Sequence, residues 1–376
     1  MIIGVDIRPL MDSEPSGVSH QLYKLLDNLF KIDRKNQYKL FYNSFSQVKD
    51  RLPKWDYPNV KFYGFRYPNK FLNFFGFQFL HWPKVDKLIG GCDVFLISNL
   101  CSIVLSKECK KIITVHDLSF ELYKGFFNPK WRLNYWLINP RKFITSADKL
   151  ISVSENTKRD LVSLYGIEEG KVEVVYPGIE SQMAEVRSQM VEIDLPEKFI
   201  LTLGTREPRK NLVGVIQAFE KIKSDDSGPA KGAGRQMSDV RLVIAGGGGW
   251  LNKEVNQLIK RSKFKSEIKI LGYVSEEVKN ELYRRAEVFL YPSFYEGFGF
   301  PPLEAMSCGC PVITSLSSST SEICGQAAVL VDPYNINELV EAIKGITNYK
   351  ECGEERVKEF NWARTANKTL EIINNI

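Results

Sequence analysis

The sequence predicts an α/β protein made of two doubly wound parallel-sheet domains. Three observations carry that expectation. Apolar strand-like runs alternate with helical stretches along the whole chain, the alternation is completed twice, and motifs suited to ligand contact recur just after predicted strands. Strands that are apolar throughout, joined by helical crossovers, belong to parallel sheets covered on both faces. A length of 376 residues gives two such domains ample core, and 44% hydrophobic with 26% charged residues is the composition of an ordinary globular protein.

In the first half the strands read "IIGVDI", "YKLFYN", "VKFYGF", "DVFLIS", "KIITVH", "KLISVS" and "VEVVYP", with helices such as "SHQLYKLLDNLFKI" and "ENTKRDLVSLYG" among them. In the second half they read "FILTLG", "VRLVIAG", "IKILGY", "EVFLYP", "PVITS" and "AAVLVD", with helices "NLVGVIQAFEKI", "NKEVNQLIKRS", "SEEVKNELYRRA" and "INELVEAIKGIT". A hinge is expected near "YPGIESQMAEV", residues 176 to 186, which puts the domains at 1–178 and 179–358. Two doubly wound domains would face each other across a cleft at the carboxyl ends of their strands. Residues 224 to 239, "SDDSGPAKGAGRQMSD", read as a polar, glycine-rich loop, and its Asp225–Asp226 pair as loop rather than metal site.

The bulk numbers exclude several classes. "MIIGVDIRPL" enters a strand at once and lacks the basic start of a secretory leader. The most apolar run, residues 93 to 105, is too short and too polar to span a bilayer. Seven cysteines, an odd number without C-x-x-C, suggest reduced thiols in a cytosol, all acting as small buried hydrophobes; Cys308 and Cys310 are poorly spaced for zinc. The charge is uneven. Residues 1 to 178 hold 26 Lys and Arg against 18 Asp and Glu, whereas the remainder holds 25 against 27. Residues 57 to 85 contain Lys61, Arg66, Lys70 and Lys84 with eleven aromatics and no acid; residues 122 to 147 contain Lys124, Lys130, Arg132, Arg141 and Lys142, again with no acid. A basic, aromatic-rich surface suits an anionic membrane face or a phosphorylated acceptor, with a solvated face over an aromatic core as the plain alternative. No nucleic-acid module accompanies the charge, so nucleic acid is not an expected partner.

The chemistry concentrates in "SFYEGFGFPPLEAMSCGCPVI", residues 293 to 313. Glu296 and Glu304 are eight positions apart, which on one helix means about 12 Å of rise and roughly 80° of rotation, a poor pairing. The prolines point instead to strand, loop, then helix from about Pro302, with Gly309 ending it. That reading places Glu296 on a flexible loop and Glu304 in the first helical turn, where free amides join those of Gly297 and Gly299 as an anion site. "GTREPRKNL", residues 204 to 212, follows a strand and offers Arg206, Arg209 and Lys210, suited to a diphosphate. "SGVSHQ" opens a helix in the first domain, so that the Gly17 amides would face the same phosphate, and "VHDLSF" puts His116 at a strand end.

Together these stretches resemble the retaining nucleotide-sugar glycosyltransferases of family four, which have the GT-B fold. The resemblance covers nearly the whole chain. Glu296 and Glu304 fall on the family's E-x7-E pair, Arg209 and Lys210 on its phosphate-binding segment, Gly17 on its glycine loop and His116 on its histidine-bearing strand end. "EFNWARTANKTLEII", residues 359 to 373, is similar to the closing segment that crosses back onto the first domain, so 359–376 is expected to pack there. Arg206 departs from the family, which often has an apolar residue there. The resemblance implies that Glu304 accepts the ribose hydroxyls, and that amides of Gly297, Phe298, Gly299, Phe300 and Leu303 meet the diphosphate and sugar. Glu296 would contact the sugar or its developing charge, and Arg209 and Lys210 would stabilise the leaving diphosphate without metal or other cofactor. Base contacts are expected from the backbone near Tyr273 and Val274.

"GTREPRKNL" with "VHDLSFELYKGFFNPKWR" is similar to bacterial and archaeal members that transfer mannose in surface-polysaccharide or lipid-linked glycan assembly. GDP-mannose is the expected donor, with a UDP-hexose as alternative, and the acceptor a glycan or lipid-linked glycan at the cytoplasmic face of a membrane. A nucleotide-sugar epimerase, a glycan phosphorylase and a non-catalytic sugar-nucleotide binder remain rival readings. So does a glycosidase using Glu296 and Glu304, which requires a carboxyl separation that sequence does not supply.

Overall fold

The computed structural model describes residues 1–11, 16–45, 51–68, 72–180, 193–226, 237, 239–249, 252–346 and 350–376. The chain forms two compact units, one of Met1–Gly178 with Phe360–Ile376 and one of Ile179–Glu359. Residues 181 to 186 of the expected hinge, and Lys70 of the first basic window, lie outside the described residues.

The first unit holds a seven-stranded, all-parallel sheet: β1 (Ile2–Asp6), β2 (Gln37–Asn43), β3 (Val60–Phe65), β4 (Val94–Ile97), β5 (Lys110–Val115), β6 (Lys149–Ser152) and β7 (Val172–Val174). Their order across the sheet is β3-β2-β1-β4-β5-β6-β7. The chain therefore starts centrally, winds to one edge, and returns to wind to the other, so its direction reverses between β1 and β4. In such sheets ligands bind at the carboxyl ends of the strands flanking that reversal.

The Gly17–Ile32 helix starts where it does because Ser16 and Ser19 form a reciprocal capping box. Its buried face, Leu22, Leu25, Leu26 and Leu29, repeats at helical spacing. The closing helix, Trp362–Asn374, packs against it within the same unit. The crossing is tight at Gly178, where a Cβ would lie 2.3 Å from the Trp362 amide nitrogen, and Thr365 Oγ1 donates 2.8 Å to the Tyr176 carbonyl. Any larger residue at 178 would force that helix away.

The second unit repeats the plan with six parallel strands: β8 (Phe199–Leu203), β9 (Arg241–Ala245), β10 (Ile268–Gly272), β11 (Val288–Tyr291), β12 (Val312–Ser315) and β13 (Val329–Val331). Their order is β10-β9-β8-β11-β12-β13, so the reversal falls between β8 and β11. Val215, Ile216 and Phe219 of the Leu212–Asp226 helix are buried with Leu242, Ile244, Leu290 and Ile313 of the strands. Each such side chain contributes about 1.5–3 kcal/mol through removal from water.

Three sequence expectations need correction. The Leu212–Asp226 helix continues through Ser224, Asp225 and Asp226, so these are not loop, and Asp225 pairs with Lys344 at 2.8 Å; residues 227–236 and 238 of that stretch lie outside the described residues. The cysteines are not uniformly buried. Cys109, Cys310 and Cys324 are, but Cys92, Cys101 and Cys308 are half-buried, and Cys352 is exposed on the helix Lys350–Val357. Finally, the helix after the glycine loop runs Phe300–Ser307 rather than from Pro302. Gly299, at φ +98°, turns the chain into it, and Pro301 and Pro302 both fit the first turn, where a missing N–H is tolerated. Gly309, at φ +74°, lies just past its end as expected. No helix among the described residues is long and apolar enough to cross a membrane.

Candidate active site

In the second unit the strand reversal brings together two segments far apart in sequence. Pro208–Lys210 follows β8 as a single 3-10 turn that ends at Asn211 in left-handed conformation, and the glycine loop follows β11. The Phe294 amide donates to the Arg209 carbonyl at 2.9 Å, and Arg209 Nη1 donates 3.2 Å to the Tyr295 carbonyl, so the two segments are stitched through backbone groups.

Glu296 is the hub. Its Oε2 accepts from Arg209 Nη1 at 2.6 Å and its Oε1 from Lys210 Nζ at 2.8 Å. It is buried, and it is not on a flexible loop, which corrects the expectation. Ser318 Oγ accepts its amide at 3.0 Å, Ser319 Oγ lies 2.9 Å from both the Glu296 and Phe298 carbonyls, and Ser317 Oγ donates 3.0 Å to the Phe294 carbonyl. Burial alone would push the Glu296 carboxyl up, but Arg209 and Lys210 hold it down at about 2. Burial also draws the Lys210 ammonium below its ordinary value, against the pull of Glu296. Lys210 further donates to the Tyr291 hydroxyl, and Glu207 lies 3.6 Å from Arg209. The two cations expected to meet a diphosphate are therefore matched by two carboxylates.

Glu304 sits in the second turn of its helix, not the first, because the helix begins earlier than expected. Lys279 Nζ lies 3.1 Å from its Oε1, and the Tyr283 hydroxyl donates 3.2 Å to its Oε2. Burial, followed by the Glu304 charge, raises the Tyr283 phenol well above its ordinary value, so it stays a donor. Prolines at two positions of the first turn leave it fewer amide donors than the sequence reading assumed. Gly297, Phe298 and Gly299 are buried and Phe300 half-buried, and Leu303, expected to meet the ligand through its amide, is wholly in the core. A Cβ on Gly299 would touch Thr320 Cγ2 at 3.3 Å in a backbone conformation that side chains disfavour. Tyr273 is exposed and Val274 half-buried at the end of β10. The Arg206 Nε is buried without a hydrogen-bond partner.

The first unit has its own cavity, of about 540 Å³, at the reversal between β1 and β4. Asp6 and Arg8 line it as a forked pair, with Arg8 Nη2 2.6 Å from Asp6 Oδ2 and Arg8 Nε 2.9 Å from Oδ1. Burial opposes the guanidinium charge, but Asp6 more than restores it. His116 also lines the cavity. Its Nε2 lies 2.7 Å from the Ser98 carbonyl, which fixes the proton on Nε2, and burial lowers its pKa so that the neutral ring keeps Nδ1 as an acceptor. Asn99 Oδ1, in the same lining, is buried with no hydrogen-bond partner. Gly17 is the exposed first residue of its helix, and a Cβ there would meet nothing within 4 Å, so packing does not demand the glycine.

Sequence reasoning missed Asp6, Arg8, Tyr291, Lys279 and Tyr283. Asp6 and Arg8 were readable in principle, being charged residues at the end of a central strand. Lys279 and Tyr283 were not, because on a surface helix they look like ordinary polar and anchoring positions.

Residues 15–182 match the family described as Glycosyltransferase Family 4, and residues 185–359 the family described as Glycosyl transferases group 1. The chain is 29% identical over 275 residues to the O-antigen chain mannosyltransferase B of Escherichia coli, an alignment covering 69% of each. It is 24% identical over 284 residues to the serotype-specific mannosyltransferase WbdA of Escherichia coli, spanning 70% of this chain and only 33% of that one. Among solved structures, the sucrose-phosphate synthase of Thermosynechococcus elongatus superposes with a TM-score of 0.73 at 17% identity, over 100% of this chain and 98% of that one.

Proposed function

The chain belongs to the family 4 glycosyltransferases of GT-B fold and is a hexosyltransferase, and from that premise we propose a retaining enzyme that moves mannose from GDP-mannose to a glycan or lipid-linked glycan without a metal ion. One observation carries the reading furthest: Arg209 and Lys210 are held by Glu296 at the β8–β11 reversal, where a doubly wound sheet presents its ligand site. Departure of a nucleoside diphosphate builds negative charge on phosphate oxygens, so preorganised cations there lower the barrier most. Glu296 keeps both cations charged and in place before the donor arrives, and it shares their charge less as the diphosphate forms. Arg206, whose Nε is buried without a hydrogen-bond partner, adds a third cation.

Glu304, supported by Lys279 and Tyr283, takes the ribose hydroxyls, a task for an acceptor-only carboxylate. The first unit's cavity takes the acceptor sugar. Asn99 Oδ1 and the neutral His116 offer acceptors to hydroxyl groups, and the Asp6–Arg8 fork offers both kinds of partner. The charge surplus of that half fits contact with an anionic membrane leaflet at the cytoplasmic face. A UDP-hexose is the second reading for the donor, since contacts from the backbone near Tyr273 and Val274 would not discriminate bases by side chain.

The test is a donor screen. Thermal shifts with GDP, UDP and ADP identify the base, and slow hydrolysis of the corresponding hexose nucleotides identifies the sugar. GDP and GDP-mannose should give the largest responses. A response to UDP and a UDP-hexose alone would replace the donor, and no response to any nucleotide would remove the function.

A further inference from the structure

The helix Pro129–Ile138 has no buried residue, yet it carries two tryptophans, two leucines and an isoleucine. Exposures of 47% for Trp131, 57% for Leu133 and 75% for Trp136 are far above what a soluble surface usually leaves to side chains of this size. The helix is held to its unit mainly by Tyr135, which stacks on Phe120 at 4.6 Å between ring centres and meets Phe127 edge-on at 5.8 Å.

This helix is a wall between two cavities. Trp131, Asn134, Tyr135 and Ile138, one stripe at helical spacing, line the cavity that contains Asp6, Arg8 and His116. Pro129, Arg132, Leu133 and Trp136, spaced in the same way, line a second groove of about 550 Å³, with Tyr135 and Phe120 lining both. At roughly 100° per residue the two stripes lie on nearly opposite sides of the helix. The second groove has an apolar floor that includes Phe120, Phe127 and Trp136, and a cationic rim of Lys124, Arg132 and Arg141. Its one carboxylate, Glu121, is engaged, lying 3.2 Å from Lys124 and accepting the Tyr165 hydroxyl at 3.0 Å. Arg141 lies over the Tyr165 ring, and among the described residues neither Arg132 nor Arg141 meets a carboxylate. An apolar floor beneath Arg132 and Arg141, two cations without a carboxylate partner among the described residues, is complementary to an apolar chain that ends in phosphate. The volume falls within the range of about 300–1,000 Å³ usual for small-molecule pockets.

We propose that this groove binds the alkyl or isoprenoid phosphate anchor of a lipid-linked acceptor, while the sugar it carries occupies the cavity on the other side of the Pro129–Ile138 wall. The assignment rests on the reading of this chain as a transferase with a lipid-linked acceptor, and it adds the place and chemistry of the anchor. Phosphate oxygens pair with Arg132 and Arg141, and the chain lies against Leu133, Phe127 and Trp136.

Octyl phosphate is a soluble probe of that chemistry. Titrated into the full chain by calorimetry, with Trp fluorescence as a second signal, it should bind saturably, and inorganic phosphate and octyl glucoside at least tenfold more weakly. Arg132→Gln with Arg141→Gln should weaken octyl phosphate at least tenfold, as should Trp136→Ser, in variants whose melting temperature and circular dichroism match the parent. Equal binding of octyl glucoside would overturn the proposal, as would binding indifferent to these substitutions. Tighter binding of dihexanoylphosphatidylglycerol at the same residues would also overturn it, assigning the groove to a bilayer lipid instead. Hydrolysis of GDP-mannose by the same preparation separates the two claims. Hydrolysis without octyl phosphate binding removes the groove alone, whereas binding without turnover of any nucleotide sugar leaves the groove and removes the transferase reading.

Discussion

Replacing Glu296 by Gln removes one charge from the centre of a buried ion cluster while nearly preserving shape. The carboxylate is 5% exposed and accepts from Arg209 at 2.6 Å and Lys210 at 2.8 Å. Burial raises the cost of its charge, and the two cations overcome that cost, taking the carboxyl from 4.5 to about 2. A displacement of that size corresponds to about 3 kcal/mol in favour of the folded, ionised form. Because the folded value is depressed, the contribution is complete above about pH 4.5 and is lost as pH falls toward 2, by about 1.4 kcal/mol per unit. Glu296→Gln also leaves Lys210 buried beside Arg209 with no anion at hydrogen-bond distance, so about 3–5 kcal/mol is the expected loss at pH 7. For a domain of this size that is a fall of roughly 6–20 °C in melting temperature. Differential scanning fluorimetry from pH 7 to pH 3.5 reads it directly. The gap between parent and variant should be full at neutral pH and begin to close below pH 4.5. Free nucleotide binding should be nearly intact, while turnover falls on the order of 10²-fold. A variant that melts within 2 °C of the parent at pH 7, or a gap unchanged at pH 3.5, would refute the electrostatic account of the cluster.

Glu304→Gln should fail differently, weakening free GDP and the intact donor alike in calorimetry, as the proposed ribose contact requires; a loss confined to turnover would contradict that role. Lys279→Met should raise KM for the donor with little change in kcat, since Lys279, itself paired with Glu276 at 2.8 Å, orients Glu304 from 3.1 Å. Activity should survive EDTA, with the diphosphate neutralised by Arg209 and Lys210, and a complete loss rescued by magnesium or manganese would count against it. Co-sedimentation with anionic vesicles should weaken as salt rises and be absent with neutral vesicles, as about 1 kcal/mol per basic residue near the surface requires.

The sheets were legible because most strands are short apolar runs, many ended by Gly, Pro, Asn or Asp, and burial on both faces writes that signature in central strands such as β4, β11 and β12, while the edge strands β3 and β10 are partly exposed. Ser16 before Gly17–Ile32 and Gly309 after Phe300–Ser307 were readable for the same local reason, since capping chemistry lies within one turn. The helix start at Phe300 was missed because two consecutive prolines fit either of two positions in a first turn. Glu304 moved from the first turn to the second with that slip. Glu296 looked mobile because its restraints are remote in sequence: Arg209 is 87 residues away, and Ser318 lies 22 residues on, beyond β12. The charges of Asp6 and Arg8 at the end of β1 were visible in the sequence, but their place beside the reversal emerges only from the sheet order. Local chemistry is written locally, whereas the pairing of charges across a sheet reversal depends on topology.

The central claim is that Lys210 and its partners in the second unit drive departure of a nucleoside diphosphate from a hexose. Single-turnover cleavage of saturating GDP-mannose by the parent and by Lys210→Ala, each shown by circular dichroism to be folded, tests it most directly. The account predicts release of GDP by the parent and a rate lower on the order of 10²-fold for the variant, a loss of about 2.7 kcal/mol of barrier lowering. Equal rates at saturation would contradict it.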